Sequence, residues 1–138
     1  MADNMTVAQR SRTMSRIRSR DTRPELVIRK LLHADGLRYR THVATLPGRP
    51  DLVFRKPKVA VFIDGDFWHG WRFPEWKDKL APYWREKIER NMRRDTQNFR
   101  DLTRDGWIVI RLWEHEIEAD ASRCADRVVA AVRSGTGN

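Results

Sequence analysis

Cysteine is almost missing from this chain. Cys124 stands alone in 138 residues, so no internal disulfide can form and a cysteine-rich zinc site is excluded. A single cysteine fits a reducing cytoplasm. Long apolar runs are missing too. None is longer than Val59–Ile63, far short of the roughly 20 residues that a membrane-spanning helix needs. The opening "MADNMTVAQR" holds no apolar signal segment. There is no internal repeat and no low-complexity tract. Negative charge is sparse at the front: residues 1–50 carry 4 Asp and Glu against 11 Lys and Arg.

What is present is a globular composition. Hydrophobic residues make up 40% and charged residues 34%, enough for one domain with a core and a wet surface. The net charge of +9 favours a polyanionic partner. Residues 51–138 carry 17 Lys and Arg against 15 Asp and Glu, so the excess sits in the front half. That asymmetry suits a nucleic-acid-facing arm on a compact body, and the plainer alternative is a solubilising basic surface.

Residues 1–20 are polar and basic, with Arg10, Arg12, Arg16, Arg18 and Arg20. They suit a short helix or an arm that orders on DNA. "TRPE" at 22–25 starts a helix, with Thr22 as N-cap, Pro24 in the first turn and Glu25 closing a capping box. Gly36 ends it. Residues 37–43 read as a partly exposed strand. "DLVF" at 51–54 and "VAVFID" at 59–64 are short strands joined by "RKPK", a hairpin. Residues 65–82 form an irregular aromatic loop, and a helix follows from Tyr83 to Arg104. "GWIVIRLW" at 106–113 is apolar on both faces and predicts a central strand. A last helix covers about 120–133, and residues 135–138 form a disordered tail. The expected fold is an α/β sandwich with helices on both faces of a mixed sheet. Its domain spans residues 21–134.

Asp51 opens one hairpin strand and Asp64 closes the other. Two carboxylates on neighbouring strand ends can hold a hard divalent cation; each alone is an ordinary turn residue. His69 lies five residues beyond Asp64 and can take a proton from water near neutrality. His33 and His42 have no such company. On the long helix, Trp84, Ile88, Met92, Phe99 and Leu102 form an inward stripe, and Asp95 falls within it. A buried carboxylate needs a partner. Asp95 therefore either orients His69 or an arginine at the site, or makes a structural salt bridge. Glu25 has its capping role and could also reach a metal. Phe67 and Trp68 are candidates to wedge between bases, while Trp71, Phe73 and Trp76 are loop packing. The alternative for the whole group is a local aromatic mini-core.

"TRPE", "LPGRPD", "VFIDGDFWHG", "YWREKIERNMRRD" and "GWIVIRLWEHE" occur in order across about residues 9–118. In these motifs the chain resembles the very short patch repair DNA mismatch endonucleases. The resemblance implies a restriction-endonuclease-like α/β core of the PD-(D/E)xK type. It implies a magnesium-dependent enzyme that nicks one strand of double-stranded DNA 5′ of the T in a T:G mismatch, the product of 5-methylcytosine deamination. It assigns Asp51 as the central magnesium ligand, the Ile63 carbonyl as another and His69 as general base. Glu25 and Asp95 become supporting acids, and Asp64 a second ligand or a bystander. Phe67, Trp68 and Trp84 become the residues inserted beside the mismatch. Arg16, Arg18 and Arg20 belong to the DNA-gripping arm. A monomer is expected, because a lone mismatch has no two-fold symmetry. The setting would be the prokaryotic cytoplasm and nucleoid, with downstream repair proteins as further partners.

Two departures from the family pattern stand out. Many members hold a structural zinc in this loop and at the later "WEC" motif. Here those positions read Asp66, Trp71 or its neighbours, and His115, so no zinc is expected and aromatic packing should replace it. The PD-(D/E)xK lysine is also absent, and Asp64 stands where some members have histidine. The rival functions are a restriction-type nuclease on matched or modified DNA, and a mismatch-binding module that does not cut.

Overall fold

The computed structural model describes residues 21–136; the arm residues Arg16, Arg18 and Arg20 lie outside them. Helix α1, Arg23–Ala34, starts as its sequence dictates: the Thr22 hydroxyl accepts from the Glu25 amide at 3.4 Å. The Glu25 carboxylate reaches back to the Asp21 amide at 3.2 Å, one residue before the cap. Strand β1 is only Arg40–Thr41, much shorter than the 37–43 strand expected, and both its residues are exposed. Strands β2, Leu52–Phe54, and β3, Val59–Asp64, form the antiparallel hairpin, with Leu52 opposite Val61.

The loop after β3 is less irregular than its sequence suggests. It contains a four-residue helix α2, Phe73–Trp76, and a 3-10 turn, Lys77–Lys79. Helix α3 spans Pro82–Arg104. Strand β4, Ile108–Trp113, pairs parallel with β3. Helix α4 covers Glu114–Thr136, with non-helical backbone at Asp120. The Asp120 carboxylate accepts from the Arg123 amide at 3.1 Å, so it caps the second segment. The sequence signal near 120 is that internal start. The helix itself begins at Glu114 and runs to Thr136, into the tail of residues 135–138 expected to be disordered.

The four strands lie in the order β1-β2-β3-β4. Strand β4 is thus an edge strand among the described residues, not the central one expected, and Ile108 is 43% exposed. The central strand is β3, whose alternate side chains enter two cores. Val59 and Val61 join Ile28, Leu32, Leu112 and Val128 in the larger one, beneath α1 and α4. Ala60 and Phe62 join Leu102, Phe99 and Trp107 in the smaller one, beneath α3. Both-faced apolarity marks burial by helices on two sides, not position within the sheet, and so misplaces β4. No helix among the described residues is long and apolar enough to cross a membrane.

The sheet has a consequence for chemistry. Residues 60, 62 and 64 of β3 share a face, as do 109, 111 and 113 of β4. The polar residues Asp64 and Arg111 therefore point to the side that α3 covers, where Asp95 comes down to meet them.

Candidate active site

The hairpin brings Asp51 and the end of β3 together. The Asp51 amide donates to the Val61 carbonyl at 2.9 Å, continuing the ladder. The Ile63 amide then donates to the Asp51 carboxylate at 2.7 Å. No lysine or arginine of the described residues pairs with Asp51; its one ion-pair neighbour is His42, at 4.0 Å. The Asp51 side chain is 15% exposed. Burial, together with the negative charges of Glu25 and Asp64, pushes its pKa up to about 7, against the Ile63 amide and His69, which favour the ionised form.

Glu25 is buried and engaged. It accepts from Arg29 at 3.1 Å and lies 2.7 Å from His42 Nε2. His42 thus has close company, contrary to its sequence reading. It sits between Glu25 and Asp51, on a backbone with φ of 48°.

A second group gathers around Asp64, at the same end of the hairpin. His69 Nδ1 is 2.6 Å from Asp95 Oδ2, and His69 Nε2 is 3.4 Å from Asp64 Oδ1. Arg111 donates through Nε to Asp64 at 2.7 Å and through its terminal nitrogen to Asp95 at 2.9 Å. Of the two roles open to Asp95, orienting a histidine or pairing an arginine, the structure has it do both. Burial acts to lower the His69 pKa, but the Asp95 hydrogen bond and the Asp64 and Asp95 charges outweigh it and raise the value. Burial raises the pKa of Asp64, with His69 and Arg111 opposing. Gly70, at φ of 78°, makes the tight turn behind His69, and a Cβ there would collide with the Met92 thioether.

The aromatic residues surround this chemistry. Phe67 meets Trp68 edge-on at 5.2 Å, and Trp68 meets Trp84 at 5.6 Å. The Lys87 ammonium lies over Trp68 and Trp84, at 5.1 and 5.7 Å. Phe67, Trp68 and His69 line a cleft of about 840 Å³ between the start of α1 and the face of α3 that carries Lys87 and Arg94. The division into wedge and packing residues is not clean: Phe67 also stacks on Trp76 at 5.6 Å.

Beyond the cleft, Asp66 lies 2.8 Å from His115 Nδ1 and its amide donates to Glu114 at 3.0 Å. Trp71 lies against His115 and Trp113, at 4.5 and 5.2 Å. The Trp76 indole donates to the Trp71 carbonyl at 2.8 Å, and Phe73 is buried beneath. An ion pair and four aromatic rings thus fasten the loop to the start of α4.

Sequence reasoning missed His42, Arg29 and Arg111. His42 gave little signal. Arg111 gave a clear one: it is the single charged residue within the strand "IVIRLW", and a charge inside an apolar strand needs a buried counter-ion.

Two oxygen-rich groups could hold a metal: Asp21, Glu25 and His42, beside Asp51, and Asp64, His69 and Asp95. The first adjoins Asp51, which has no lysine or arginine partner among the described residues. Each group already holds an arginine, Arg29 between Asp21 and Glu25 and Arg111 between Asp64 and Asp95, so Asp51, with the Ile63 amide as its close donor, is the carboxylate left open to a dication.

Comparison with known proteins finds relatives. A family model described as DNA mismatch endonuclease Vsr matches residues 2–75. The type II nicking enzyme V.NmeDIP of Neisseria meningitidis serogroup C is 40% identical, over 98% of this chain and 93% of its own. The type II nicking enzyme V.NaeI of Lentzea aerocolonigenes is 43% identical, over 83% and 72%. The DNA mismatch endonuclease Vsr of Escherichia coli K12 is 38% identical, over 83% and 74%.

Proposed function

We propose, from the premise that the chain belongs to the Vsr DNA mismatch endonuclease family and is a DNA endonuclease, that it nicks duplex DNA 5′ of the T in a T:G mismatch with magnesium. The observation that carries this reading is Asp51: a largely enclosed carboxylate with one amide donor and no paired lysine or arginine among the described residues, within the field of His69. Asp51 and the Ile63 carbonyl would hold the ion. When bound, a divalent cation supplies positive charge for the phosphodiester transition state and lowers the pKa of water.

The chain's own residues do the rest. His69 is the general base, held through Nδ1 by Asp95, and Nε2, 3.4 Å from Asp64, is the nitrogen that takes a proton from water in the cleft. Asp64 acts on His69 and not on the ion, because its two oxygens face His69 and Arg111. Glu25 holds His42 beside Asp51. Phe67 and Trp68, backed by Trp84, enter the stack next to the mismatch. Arg16, Arg18 and Arg20 grip the backbone from the arm. The enzyme works as a monomer.

The test pairs two oligonucleotide duplexes that differ only by T:G against C:G at one position, each with Mg²⁺. Selective nicking 5′ of the T supports the reading. Equal cutting of both favours a restriction-type nuclease on matched DNA.

A further inference from the structure

Arg111 stands at the centre of the second carboxylate group. It lies opposite Phe62 in the β3–β4 register, so the sheet fixes its backbone. Its guanidinium stacks 4.1 Å from the Trp113 ring centre and 5.0 Å from that of Phe99. Its two donors reach two different residues, Asp64 and Asp95. Asp95 Oδ2, which takes the Arg111 donor, is also the oxygen that meets His69 Nδ1. One planar group is therefore clamped by two rings and reports to both carboxylates that touch the imidazole.

We propose that Arg111 is a positioning residue for His69: its fork fixes the Asp95 oxygen that orients the ring, and supplies the positive charge these two carboxylates need. A guanidinium can do this because its nitrogens lie in a rigid plane. A lysine ammonium is a point charge on a flexible stem and cannot face both carboxylates while stacked on Trp113. With the fork lost, Asp95 is free to turn, and His69 loses its single tautomer and orientation.

The inference rests on His69 acting as the base, so the test has one arm that needs no turnover. R111K and R111Q are compared with wild type after circular dichroism has verified folding. In metal-free protein, nitrogen-15 NMR of labelled imidazoles at alkaline pH reads the His69 tautomer, assigned by its absence in H69Q. Wild type should show one tautomer with the proton on Nδ1, and both variants a mixture. On a T:G duplex with Mg²⁺, kcat should fall roughly tenfold to a hundredfold, with KM within about twofold of wild type. A wild-type tautomer and kcat in both variants overturns the proposal. So does failure of both to fold, which would make Arg111 a part of the scaffold alone. If wild type nicks no duplex at all, the functional reading fails and the imidazole spectrum still decides for or against Arg111.

Discussion

The carboxylates gathered at the end of the hairpin differ in how their charge is met. Asp64 and Asp95 enclose a guanidinium that the protein itself provides, with donors at 2.7 and 2.9 Å. Asp51, at the other strand end, has an amide and a histidine 4.0 Å away. The first group is complete as folded, and so serves to hold a neighbour in place. Asp51 has no guanidinium partner among the described residues and a pKa raised to about 7, and under the proposed function it holds a cation that takes the place of the proton. Arg111 and Arg29 meet the carboxylates on either side of Asp51, and neither reaches Asp51 itself.

The largest effect should come from breaking the uncompensated side. Asp51→Asn is expected to reduce nicking on the order of a thousandfold or more, since a bound ion is worth several kcal/mol at the transition state. Binding of the T:G duplex should persist, as a gel-shift assay would show. On the compensated side, His69→Gln should lower kcat on the order of a hundredfold, the range of a lost general base. Single-turnover kinetics checks it.

The aromatic wedge belongs to neither group, so its loss should spare both. Trp68→Ala should weaken affinity for the T:G duplex about tenfold, in line with roughly 1–3 kcal/mol per stacked base, and narrow the preference over C:G. Fluorescence anisotropy with both duplexes reads this.

Stability against pH sharpens the contrast. Asp51 titrates at about 7 in the fold against an ordinary 3.8, so the folded state binds the extra proton. Its contribution is favourable only while that proton stays, and is lost as pH rises from about 4 through about 7. His69, also raised, acts in the same direction above its ordinary 6.5. Metal-free protein should therefore melt several degrees lower at pH 8 than at pH 5. Asp51→Asn, or millimolar Mg²⁺, should flatten the slope. The smallest effect is expected at the loop fastening. Asp66→Asn loosens a partly exposed pair and should cost about 1 kcal/mol or less by thermal melting.

Much of this arrangement was legible in the sequence. The capping box, the hairpin and the long helix follow from local rules, and the helical period alone put Asp95 on the inward stripe. The position of β4 was not legible, because its apolar alternation is satisfied equally at an edge covered by helices. His42 was hidden for a different reason. Its partners are 17 residues before it and 9 after it, and only the pairing of β1 with β2 joins them. Arg111 lay in plain view as a charge in an apolar strand, yet nothing local says which carboxylates it meets.

Calorimetric titration of Mg²⁺ into metal-free wild type, Asp51→Asn and Asp64→Asn at pH 8 tests the central contrast most directly. One ion should bind wild type and Asp64→Asn, and none should bind Asp51→Asn. An ion that still binds Asp51→Asn, or that is lost from Asp64→Asn, would contradict the division of the two groups.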